Sequence, residues 1–80
     1  MSVEYAEGVK SVLADTLGQD VKDLADHRSL SEFDIDDLDI IELAMNLEEE
    51  FDIEVPDDDF VVLKDGTVGD VIRYVSEKKQ

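Results

Sequence analysis

Apolar residues recur with helical spacing in three separate stretches of the chain. In residues 3–17, Ala6, Val9, Leu13 and Leu17 fall at i, i+3, i+7 and i+11 with Val12 beside them, the period of one buried helix face. Ser2 is placed to cap this predicted first helix and Gly18 to end it as the C′ residue. Gly8 lies inside the pattern, at a cost of about 1 kcal/mol relative to alanine. The second stretch, residues 34–51, separates into three faces. Ile40, Leu43, Ala44, Leu47 and Phe51 form the stripe to be buried, and Asp39, Glu42, Glu49 and Glu50 lie roughly opposite. Between them Leu38, Ile41 and Met45, at i, i+3 and i+7, form a second apolar row. A helix with a purely structural role needs one stripe, so a second one bordered by carboxylates points to a partner. Asp36 suits the N-cap of this helix, with Asp39 three residues on closing a capping box, and Asp37 is then an ordinary first helical residue. In the third stretch, Val68, Val71, Ile72 and Val75 give a stripe at i, i+3, i+4 and i+7. Thr67 is its predicted cap, with Asp70 three residues on, and Lys78 and Lys79 suit its C-terminal end.

The segments between these helices are less regular. Residues 19–35 exceed the usual helix–helix connection, with Val21, Leu24, Leu30 and Phe33 as scattered anchors and room for one helical turn between Asp20 and Asp26. After Phe51, the residues Ile53, Val55 and Pro56 mark a break. A short helix is expected over Asp57 to Leu63, with Phe60 and either Val61 or Leu63 turned inward, followed by a turn at Lys64-Asp65-Gly66. The expected architecture is all-α: three main helices and a short one in a small bundle, forming one domain over residues 1–80.

Composition sharpens this picture. The chain carries 23 acidic against 7 basic side chains, a net charge of −16. Nucleic acid and anionic membranes repel such a surface, and basic patches on proteins attract it over a range that salt shortens. With 42% hydrophobic residues in clear periods the chain can form a core, although 80 residues bury only about 60–65% of their unfolded surface. There is no cysteine for a disulfide or thiolate site, no apolar run near the roughly 20 residues of a membrane span, and no signal-peptide plan. The expectation is a soluble, cytoplasmic monomer.

The residue types also exclude much chemistry. With no cysteine, one histidine (His27, in the predicted loop) and no serine in a strained glycine-flanked turn, a nucleophilic triad is absent, as are glycine-rich phosphate loops. Carboxylate pairs need a sheltered cleft to split their pKa values, which so short a chain hardly provides. Asp34, Asp36 and Asp39, or Asp57 to Asp59, lack the glycine and distal glutamate of an EF-hand, so no metal site is assigned. An enzyme is not expected.

The runs Asp36-Asp37-Leu38-Asp39 and Glu42-Leu43-Ala44-Met45-Asn46-Leu47-Glu48-Glu49-Glu50-Phe51-Asp52-Ile53-Glu54-Val55-Pro56-Asp57 make the chain resemble, over nearly its whole length, the acyl carrier proteins of fatty acid and polyketide synthesis. The resemblance implies a four-helix bundle with a long first loop, whose second helix is recognised by basic patches of synthases, acyltransferases and the phosphopantetheinyl transferase. It gives Asp36, Asp39, Glu42, Glu48, Glu49 and Asp57 as acidic recognition positions, and Leu38, Ile41 and Met45 as the apolar contacts between them. It also places Asp37 where the family's Asp-Ser-Leu motif carries 4′-phosphopantetheine on serine. A phosphodiester there needs a hydroxyl, and a carboxylate would give at best a labile mixed anhydride. Ser29 and Ser31 lie upstream of the helix start. No cofactor is therefore expected on Asp37. Two readings follow: a carrier-like protein that works by binding carrier-recognising enzymes, or a carrier in which aspartate has replaced serine to keep it unmodified. A third, from another class, is an acidic ion-binding or solubilising protein.

Overall fold

The three predicted stripes meet one another in a bundle of four helices: α1 (Val3–Leu17), α2 (Asp37–Phe51), the short α3 (Phe60–Asp65) and α4 (Val68–Lys79). The computed structural model describes residues 3–79, so the expected cap at Ser2 lies outside the described residues. Val9 and Leu13 of α1, Leu43 and Leu47 of α2, Leu63 of α3, and Val68, Val71 and Val75 of α4 are fully buried together. No helix among the described residues is long and apolar enough to cross a membrane.

The predicted ends of α1 and α2 are found. Gly18 takes a left-handed φ of 68° that stops α1, and Asp52, at φ 55°, does the same for α2. Gly8 has a packing role: a Cβ there would lie 2.9 Å from Cζ of Phe51. The missing side chain lets the end of α2 close onto α1, where Tyr5 meets the Phe51 ring edge-on with centroids 6.2 Å apart. In the last turn of α1, Thr16 Oγ1 accepts a hydrogen bond from Asn46 Nδ2 at 2.8 Å.

The long link is held from the far side of the bundle. The Val68 and Gly69 N–H groups, left without helical partners at the start of α4, donate to the carbonyls of Arg28 and Asp26, each at 2.9 Å. The Leu30 N–H donates to the Gly66 carbonyl at 3.0 Å, and Lys10 of α1 pairs with Asp26 at 2.9 Å. Leu24 and Leu30 are fully buried, and Phe33 is half-buried beneath the Arg28 guanidinium, 4.7 Å above its ring. The expected anchor at Val21 is not one: it is 47% exposed. It opens a single 3-10 turn (Val21–Asp23) capped by Asp20, and so short a turn sinks one neighbour, Leu24.

Two more expectations are corrected around α3. The acidic run Asp57–Asp59 is a 3-10 turn, and α3 proper continues through Lys64 and Asp65, so only Gly66 of the predicted turn lies outside a helix. Leu63 is the residue turned inward and Val61 the one left outside. At the start of α4 the capping box is reciprocal: the Asp70 N–H donates to Thr67 Oγ1 at 3.1 Å, and the Thr67 N–H donates to Asp70 Oδ2 at 3.0 Å. That second bond, above all, holds the Asp70 carboxyl below its usual range. Lys78 and Lys79 serve neighbours instead of their own helix end: Lys78 approaches Asp59 at 3.6 Å, and Lys79 donates to the last carbonyl of α2, that of Phe51, at 2.9 Å.

Candidate functional site: the open face of α2

The start of α2 is fixed by two carboxylates. Asp36 Oδ1 accepts the Asp39 N–H at 2.9 Å, and Asp39 Oδ2 accepts the Asp36 N–H at 3.2 Å. Neither bond involves Asp37, which is exposed as the first helical residue. The helix start therefore does not depend on what residue 37 is.

Below this box the faces separate as the period predicts. Ile40, Leu43, Ala44 and Leu47 are buried. Leu38 is 65% exposed, Ile41 46% and Met45 54%, so the second apolar row is open to water. Burying such side chains against a partner is worth about 25 cal/mol per Å² of apolar area, before the costs of association. Exposed Glu42 flanks Ile41, and Glu42, Met45 and Glu49 continue the strip at i, i+3 and i+7. Glu49 also borders a second, polar cleft of about 400 Å³ against α1, with Asp15, Asn46 and Glu50.

A cleft of about 510 Å³ separates α2 from α3. Ile40, Ile41, Phe60 and Val61 supply its apolar walls, and Asp37, Asp57, Asp65 and Lys64 its polar lining. The fold thus brings Asp57 into one site with Asp37 and Ile41, across 20 residues of sequence. Glu48 stands apart from the other acidic positions: it is half-buried, and its Oε2 accepts the Val55 N–H at 2.9 Å, bracing the chain after α2.

Val61 and Lys64 were not among the site residues expected from the sequence. Val61 is 55% exposed and carries the apolar row from α2 onto α3. The string Phe60-Val61-Val62-Leu63 is apolar throughout, so its own pattern contains no face. Lys64 has no ion-pair or hydrogen-bond partner among the described residues, whereas Lys10, Lys22, Arg28, Arg73, Lys78 and Lys79 each have one. No sequence signal distinguishes it.

The first turn of α2 offers Asp36, Asp37 and Asp39, all carboxylates, and no hydroxyl to which a phosphodiester could be made. Ser29 lies upstream, at the start of the 3-10 turn Leu30–Phe33, where its N–H donates to Glu32 Oε2 at 3.2 Å. The residues present at this helix start do not fit a serine-linked group. Among the described residues no cluster of three or more His, Cys, Asp or Glu side chains is arranged to hold a metal ion.

Residues 7–75 match the family described as a phosphopantetheine attachment site. Three acyl carrier proteins are similar to the chain over most of its length. That of Clostridium acetobutylicum is 46% identical over 70 residues, covering 86% of this chain and 88% of the relative. That of Zymomonas mobilis is 43% identical over 95% of this chain and 96% of the relative. That of Picosynechococcus is 38% identical over 98% of this chain and 95% of the relative.

Proposed function

The chain belongs to the acyl carrier protein family, and from that premise we propose that it is a single-domain, carrier-like protein of fatty acid or polyketide-type biosynthesis, gripped by partner enzymes along α2. The observation that carries this reading is the open apolar row Leu38, Ile41 and Met45, set among Asp36, Asp39, Glu42 and Glu49 on a chain of net charge −16. Basic patches on synthases and acyltransferases are steered to such a surface, and the apolar row gives them something to desolvate. Asp57 and Val61 extend the footprint across the cleft. The protein is a binding partner and not a catalyst.

In this reading residue 37 holds the family's attachment position, and Asp37 leaves it unmodified. Incubation with coenzyme A and a phosphopantetheinyl transferase is expected to leave the intact mass unchanged; an added phosphopantetheine would overturn the reading. The Asp37→Ser variant is expected to load, because Asp36 and Leu38 are of the family type and the capping box is indifferent to residue 37. Loading of that variant favours an unmodified form of a true carrier. Failure of a folded Asp37→Ser protein to load favours a diverged binding protein instead.

A further inference from the structure

We propose that this chain is a competitive antagonist of the enzyme that transfers phosphopantetheine from coenzyme A: it offers that enzyme a carrier's docking face, is not consumed, and leaves unmodified. The inference rests on the reading of residue 37 given above and extends it from what the chain lacks to what the lack does. Docking and modification depend on different atoms here. The docking face is shaped by the Asp36–Asp39 capping box and by the exposed row Leu38, Ile41 and Met45, none of which involves the side chain of residue 37. The carboxylate of Asp37 stands exposed in the first turn of the helix.

An enzyme that binds coenzyme A beside a carrier must bring the pyrophosphate up to residue 37. A serine hydroxyl at that place is neutral and can take the phosphoryl group. The Asp37 carboxylate is anionic, has no proton to give up, and meets the pyrophosphate as one negative charge meeting others. No bond forms and none breaks, so each encounter occupies the enzyme and yields nothing. At the same time Asp37 adds one charge to an acidic surface that a basic docking patch attracts, so the substitution that removes the chemistry does not weaken the approach.

The test is a steady-state transfer assay with a purified phosphopantetheinyl transferase, coenzyme A and a serine-bearing acyl carrier protein as substrate, with this chain added as competitor. The expected result is slowed transfer, relieved by more substrate carrier. The inhibition constant should lie within about tenfold of that carrier's KM, a difference of about 1.4 kcal/mol or less. The mass of this chain should be unchanged at the end. Glu42→Lys, and separately Met45→Ala, should each weaken inhibition at least several-fold while circular dichroism shows the helices intact. Undiminished transfer at a large excess of this chain overturns the inference and leaves the reading of an unmodified carrier standing. Slowing that extra substrate does not relieve, or that both variants retain in full, also overturns it. Gain of a phosphopantetheine mass by this chain overturns both.

Discussion

The Tyr74 hydroxyl donates a 2.6 Å hydrogen bond to Asp59 Oδ2 and so ties α4 to the acidic turn from which α3 starts. Lys78 stands 3.6 Å from the same carboxylate and 5.5 Å from the Tyr74 ring centre. Burial first, and then the bond to Asp59, push the ionisation of Tyr74 well above the ordinary phenol value. The folded state thus holds the phenol's proton more tightly than the unfolded chain does. The stabilisation is complete below about pH 10 and is lost as pH rises from there through the folded-state value. Tyr74→Phe should cost about 1.5 kcal/mol at neutral pH, the low end for a bond to a charged group because the pair is partly wet. It should also flatten the fall in stability above about pH 10, measured by urea unfolding at several alkaline pH values.

The helix start should be indifferent to residue 37 and sensitive to residue 36. Asp36→Ala removes the side chain that accepts the Asp39 N–H and should cost about 1 kcal/mol. Asp37→Ser should stay within about 0.5 kcal/mol of the parent, since the lost dipole interaction is offset by relief among crowded carboxylates. Urea midpoints of the two variants would separate these effects.

Val61 and Leu63 lie two residues apart and should behave as opposites. Leu63→Ala empties a fully buried site and should cost roughly 2–5 kcal/mol. Val61→Ala and Ile41→Ala, at open positions, should change stability by no more than about 0.5 kcal/mol. Each should nevertheless weaken binding to a carrier-recognising enzyme by up to about tenfold, the upper range for one half-buried contact at about 1.4 kcal/mol. Calorimetry of binding beside thermal melts checks both halves. Substantial melting of the bundle by Ile41→Ala or Val61→Ala would place these side chains in the core and remove the docking face.

Gly8 and Phe51 should be coupled. Gly8→Ala gains about 1 kcal/mol of helix propensity and loses a similar amount by pressing on the Phe51 ring, so alone it should be close to neutral. In a Phe51→Leu background the crowding is gone and the same substitution should stabilise by most of that 1 kcal/mol. A double-mutant cycle in urea reads the difference.

Salt should stabilise the fold. With a net charge of −16, carboxylates repel one another across the surface, and the Debye length falls from about 30 Å at 0.01 M to about 8 Å at 0.15 M. A gain of about 1 kcal/mol over that range would raise Tm by roughly 4–8 °C for a domain of this size. A melting temperature that does not change with salt would count against strong self-repulsion.

Much of this protein was legible in the sequence because its signals are local. A helix period needs only its own residues, so the stripes of α1, α2 and α4, the caps at Asp36 and Thr67 and the stop at Gly18 all appear where the pattern places them. The second apolar row of α2 was legible for the same reason: one helix has one inward side, and Leu38, Ile41 and Met45 are off it. The residues of the acyl carrier family, the carboxylate at position 37 and the charge are likewise written in the chain.

Tertiary structure decided what depends on neighbours distant in sequence. Whether Val61 or Leu63 turned inward was open in an unbroken apolar string and was settled by where α3 meets the core. Val21 reads as an anchor and is not one, because the turn it opens buries Leu24 instead. Glu48 is acidic like the surrounding surface but is half-buried and braces Val55, a pairing across 7 residues that no helical period encodes. The link over residues 18–36 is placed by carbonyls that accept the free N–H groups of α4, and those partners exist only once the bundle has closed. Periodicity along one helix is a property of the chain; which side chain fills a shared space is a competition that only the packed molecule resolves.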